Sequence, residues 1–167
     1  PDFPEGHNNL GNALVKAGYF EQAVNSFSKA LALRPDYVEA HNNLGNALKD
    51  LEHFEEAITH LQKAIALKPD YAEAHYNLGR ALFEAGRTAE AIDSCQKAIS
   101  INPNLVEAWI NIGVIFQKMG RKEDSQKAAR EAVSLAPENS KAHTALANVF
   151  LEFGQFEDAL SSYARAI

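Results

Sequence analysis

The chain has 167 residues, 46% hydrophobic and 23% charged, which is enough apolar surface for a packed core and argues against a disordered chain. Its formal charge of −6, with no compensating basic stripe, argues against nucleic acid, whose binding rests on cationic contacts to phosphate. A single cysteine excludes an internal disulfide, and neither a run of about 18 apolar residues nor a basic-then-apolar leader directs the sequence to a membrane.

Along the chain, Pro35, Pro69, Pro103 and Pro137 stand 34 residues apart, so the protein reads as an array of one repeated unit. Counted from Pro4, the units are 4–37, 38–71, 72–105, 106–139 and a partial fifth, 140–167. Within 38–71, apolar residues at helical spacing over 38–51 and 55–68 flank a break at Glu52-His53, which predicts two antiparallel helices per unit. Each first helix is expected to begin with a capping box: Asp2 with Glu5, Asp36 with Glu39, Asp70 with Glu73 and Asn104 with Glu107. Gly18, Gly86, Gly120 and Gly154 mark its end, and the second helix runs on to the proline. Small residues recur where helices must approach closely. The eighth position of the unit reads Gly11, Gly45, Gly79, Gly113 and Ala147, and the twentieth reads Ala23, Ala57, Ala91, Ser125 and Ala159. Ser125, Gln126 and Ala129 thin the expected apolar face of the fourth unit.

The order of aromatic, Leu-Gly, aromatic, Ala, aromatic, Ala and Pro across the unit resembles the tetratricopeptide repeat family over the whole chain. That resemblance implies an all-α, right-handed α-solenoid superhelix in which the first helix of each unit lines a concave inner face. One departure is that His7, His41, His75 and His143 stand where the family has tryptophan, a residue kept only at Trp109. Phe27, Leu61, Cys95, Ala129 and Tyr163 share another position, and Cys95 is expected there as a small buried apolar residue.

The expected inner face carries the candidate binding residues. The sixth position reads Asn9, Asn43, Asn77 and Asn111, and the ninth reads Asn12, Asn46, Arg80 and Val114. Asparagine is a mediocre helix former, so aligned copies need a reason; its amide suits paired hydrogen bonds to an extended peptide backbone. The alternative is that these amides tie one repeat to the next. The asparagine ladder resembles that of the superhelical arm of O-linked N-acetylglucosamine transferases, which implies a grip on polypeptide backbone. Asn8, Asn42 and Lys49 make the early part of this face polar, whereas Tyr76, Phe83 and Ile110 make it more apolar later, the composition of a groove with side-chain anchors. A subset of the family clamps acidic chaperone tails. This chain has the matching Asn12 and Asn43 but shows Asn8, Glu73 and Asn77 where cations belong, so such tails are not expected to bind.

Repeated histidines one unit apart cannot converge on one metal ion, and all six are read as surface residues. No nucleophile–base set stands out, so neither catalysis nor a cofactor is expected. The reading is a protein-interaction scaffold that binds an extended peptide, in a cytoplasmic or nucleocytoplasmic setting. The alternatives are a substrate-recruiting arm of a larger glycosyltransferase and a self-associating structural solenoid. The junction-like start Pro1-Asp2-Phe3-Pro4 and the end at Ile167, a turn short of the next proline, predict a longer parent array. The core-type residues Leu160 and Ile167 predict end-to-end self-association.

Overall fold

The computed structural model describes residues 3–167. Ten helices and no strands are found among these residues, in the order α1 (Pro4–Lys16), α2 (Phe20–Leu33), α3 (Val38–Asp50), α4 (Phe54–Leu67), α5 (Ala72–Glu84), α6 (Thr88–Ile101), α7 (Val106–Lys118), α8 (Lys122–Leu135), α9 (Ser140–Glu152) and α10 (Phe156–Ala164). The fold is therefore an all-α repeat of helix pairs, with the pairs falling where the 34-residue period places them.

Two compact units divide the chain, the first ending at Ser94 and the second beginning at Cys95, within α6. In the N-terminal unit α1 packs on α2 and α3 on α4, while α2 and α4 also pack on the first helix that follows them. First helices adjoin directly, α1 with α3 and α3 with α5. In the C-terminal unit α8 lies against both α7 and α9, α7 touches α9, and α10 closes on α9. The cores are built from Phe27, Leu44, Ile58, Leu61 and Leu82 in the first unit, and from Ile112, Ile115, Phe116, Val149 and Phe150 in the second. Cys95 is fully buried, as its repeat position implied. Leu160 is 70% exposed on α10.

Glycine sets the spacing inside the first two pairs. A Cβ on Gly11 would lie 2.4 Å from the Phe27 ring, and one on Gly45 would lie 2.6 Å from Leu61 Cγ and 3.0 Å from the Ala57 carbonyl oxygen. The fourth repeat is looser, because Gly113 faces Ala128 Cβ at 3.4 Å and the Ser125 carbonyl oxygen at 3.6 Å. Ser125 is fully buried there, and its hydroxyl donates to the Gly113 carbonyl at 2.9 Å. Left-handed backbone closes the first helices at Gly18, Gly86, Gly120 and Gly154, whereas in the second repeat the non-glycine Glu52 adopts φ 63° at the same place.

The predicted capping boxes at Asp36, Asp70 and Asn104 do not form. The N-cap residues are Tyr37, Tyr71 and Leu105, one position later, and none makes a side-chain cap; Asp2 lies outside the described residues. The proline dictates a different device. Each proline follows the first residue of a β-turn closed by Tyr37 N–H to Arg34 C=O, Tyr71 to Lys68, Leu105 to Asn102 and Asn139 to Ala136. A ring nitrogen from the following helix then reaches back to the proline carbonyl: His41 Nε2 at 2.9 Å from Pro35, His75 Nε2 at 3.0 Å from Pro69, Trp109 Nε1 at 2.9 Å from Pro103, and His143 Nε2 at 2.7 Å from Pro137. His41, His75 and His143 are consequently buried, which corrects the expectation of surface histidines. A side-chain cap forms at Asn139, which accepts from Lys141 N and Ala142 N.

Gly45→Ala is expected to destabilise by about 1–3 kcal/mol through overpacking. Gly113→Ala should fall between neutral and about 1 kcal/mol stabilising, because the methyl fits and alanine favours helix. Urea denaturation of both variants checks the contrast; equal losses would show that the helix spacing does not depend on the partner of the glycine.

Candidate functional site

The face presented by α1, α3 and α5 is organised by side-chain amides. Asn77 donates from Nδ2 to Asn42 Oδ1 at 2.9 Å, Asn42 donates weakly to its neighbour Asn43 Oδ1 at 3.4 Å, and Asn43 donates to Asn8 Oδ1 at 3.1 Å. The two strong links join residues 35 apart, so each runs from the sixth position of one repeat to the fifth position of the repeat before. Repeat-to-repeat tying is therefore a real role of this ladder. It also orients the amides: each Nδ2 carries a second N–H, and each oxygen a second lone pair, beyond the bond that fixes it.

The other sequence-predicted residues of this unit fall around that chain. Asn9 is exposed and Asn12 half-buried on α1, whereas within the chain itself Asn8 and Asn42 are buried and Asn43 and Asn77 half-buried. Lys49 is buried with its amine against Asp50. Arg80 lies over the Tyr76 ring at 5.8 Å, and Phe83 is half-buried one turn further along α5. Asn46 Oδ1 is a buried acceptor without a partner among the described residues.

In the C-terminal unit, Ile110, Asn111 and Val114 are half-buried on α7. Asn111 donates to Cys95 Sγ at 3.2 Å instead of continuing an amide chain. Burial pushes the Cys95 thiol up to about 11 despite that hydrogen bond, which favours the protonated thiol at neutral pH.

One polar pair escaped the sequence reading. His41 and His60 stack with ring centroids 5.3 Å apart and face each other Nδ1 to Nδ1 at 3.0 Å. Because His41 Nε2 must donate to the Pro35 carbonyl, neutral His41 has its lone pair on Nδ1 and His60 supplies the proton between them. Burial, and then the neighbouring His41, lower the pKa of His60, while Glu56 opposes this. Among the described residues no helix is long and apolar enough to cross a membrane.

Comparison with known proteins matches this architecture. A family model described as Tetratricopeptide repeat covers residues 44–105 and 110–167, and a related TPR repeat model covers 11–52. Among solved structures, MamA is 28% identical with TM-score 0.75, covering 93% of this chain and 91% of its own. A thermophilic TPR protein of Thermus thermophilus is 22% identical with TM-score 0.89, covering 98% and 90%. YrrB, described as a TPR protein with an unusual peptide-binding site, is 23% identical with TM-score 0.67, covering 96% and 83%. No curated protein matches the sequence.

The His41–His60 contact gives stability a pH dependence of defined sign. The folded chain holds His60 below the ordinary value of 6.5, so the unfolded chain binds more protons between the two values. The contribution is complete above about 6.5 and is lost as pH falls from there towards the folded value. The urea midpoint should drop between pH 7.5 and 5.5, and His60→Ser, the residue at this position in the first and third repeats, should flatten that drop. An equal drop in both proteins would assign the effect elsewhere.

Proposed function

The chain belongs to the tetratricopeptide repeat family, and we propose that it is a non-catalytic interaction module that takes an extended peptide against the α1, α3 and α5 face of its N-terminal unit. The fold is that of a protein-interaction scaffold in general. The observation that carries the finer reading is the linked amide chain Asn77–Asn42–Asn43–Asn8. Amides already held by one hydrogen bond lose little side-chain entropy when they make a second, which favours binding. An extended backbone supplies a donor and an acceptor at every residue and so matches amides repeated along adjoining helices whatever its side chains are.

The unpaired Asn46 oxygen adds an acceptor on α3 that a ligand N–H would satisfy after a small local opening. Tyr76 and Phe83 supply apolar surface on α5 for a side-chain anchor. Overall negative charge and the shortage of cations on this face favour neutral or basic peptides over acidic ones. Recruitment of a substrate polypeptide for a larger enzyme would use the same surface and the same contacts.

A peptide array probed with the wild-type chain, Asn43→Ala/Asn77→Ala and Tyr76→Ala/Phe83→Ala tests this. The asparagine variant should lose most bound peptides regardless of sequence, whereas the aromatic variant should lose a subset that shares an apolar residue. Removing the braces is expected to cost about 0.5–1.5 kcal/mol per bond, so binding is measured where thermal melting shows both variants folded. Retention of the same peptides by both variants would contradict the proposal.

A further inference from the structure

A cavity of about 330 Å³ lies within the C-terminal unit, walled by Ile99 of α6, by Trp109, Ile112 and Phe116 of α7, and by Ala128 of α8. The second and fourth repeats differ in what faces this space. Position 23 of the unit reads Ser26, His60, Ser94, Ala128 and Ser162, and position four reads His7, His41, His75, Trp109 and His143. In the second repeat the His60 ring stacks on His41. In the fourth repeat the partner of that contact is a methyl group, while the facing ring is the larger indole. Ser125 and Ala129, fully or almost fully buried on the same helix, add no bulk.

The rim of the cavity is charged unevenly. Arg121 lies over the Phe116 ring with its guanidinium carbon 4.4 Å from the centroid, and it donates from Nε to Asp124 Oδ2 at 2.8 Å. Asp124 offsets one positive charge. Lys127, also at the rim, has no ion-pair partner among the described residues. Among the residues lining the cavity, two cations therefore face one carboxylate, on a chain whose formal charge is −6.

We propose that this cavity is a binding site for a small aromatic carboxylate, distinct from the peptide face of the N-terminal unit. The aromatic ring would occupy the space between Trp109, Phe116 and the Ala128 methyl, where offset or edge contacts to two aromatic walls are available. The carboxylate would sit at the rim against Lys127 and the N–H groups of Arg121 that Asp124 leaves free. The volume lies at the small end of ligand pockets and suits one ring with a short tail.

Trp109 is the only tryptophan of the chain, so its emission reports directly on this wall. Titration of the full chain with 3-phenylpropionate is expected to give a saturable change in Trp109 fluorescence, with 3-phenylpropanamide binding at least about fivefold more weakly because it lacks the charge. Ala128→His, which installs the residue carried by the second repeat, should abolish the change while circular dichroism shows the helices intact. Should that variant fail to fold, Lys127→Glu, on the surface, should weaken the carboxylate and leave the amide unaffected. Equal binding of acid and amide, binding that survives in folded Ala128→His, or no fluorescence response to the acid would overturn the proposal.

Discussion

In the first two repeats the separation of the paired helices rests on one contact, a glycine on the first helix facing a side chain on the second. Phe27 against Gly11 and Leu61 against Gly45 leave no room for a single methyl group. Close pairs let successive first helices adjoin, as α1, α3 and α5 do. That adjacency brings Asn43 to Asn8 and Asn77 to Asn42, side chains with no reason to meet in an isolated helix pair. The polar face of the N-terminal unit is thus a consequence of apolar packing behind it.

The same constraint, relaxed, shapes the C-terminal unit. As the side chain at position 24 shrinks from Phe27 and Leu61 to Cys95 and Ala129, the fourth pair loses the volume that enforces tight fit. Ser125 compensates locally by donating to the Gly113 carbonyl. It does not restore bulk, and the space reappears beside Trp109. One repeat scaffold therefore supports two kinds of surface, a linked row of amides and an apolar cavity, through substitutions at a few facing positions.

Much of the fold was legible in the sequence because a repeat period reports on positions within the unit. The helix pair expected over 38–51 and 55–68 is found at Val38–Asp50 and Phe54–Leu67, and the buried Cys95 followed from its alignment with Phe27 and Leu61. The helix starts were misread because Asp36 and Asp70 mimic caps, while the turn led by the proline is closed instead by backbone bonds and a ring N–H. A signal for that device was present: His41, His75, Trp109 and His143 each follow a proline by six residues and share a ring nitrogen. The candidate site was harder to read. Whether Asn43 points to a ligand or to a neighbour depends on the fifth position of the preceding repeat, which only the packing of one first helix on the next brings within reach. Glu52, left-handed where other repeats use glycine, shows that tertiary packing outweighs a local preference of about 1 kcal/mol.

The claim at the centre of this account is that the tied amides present their remaining hydrogen-bonding groups to a peptide backbone. Nuclear magnetic resonance of the side-chain amide groups of Asn43 and Asn77 tests it most directly, recorded free and with a peptide retained by the wild-type chain. The account predicts that in the free protein one proton of each group is protected by its partner on the neighbouring repeat, and that the other proton shifts on binding. Peptide-induced shifts confined to the second helices α2 and α4, with both asparagine amides unmoved, would contradict it.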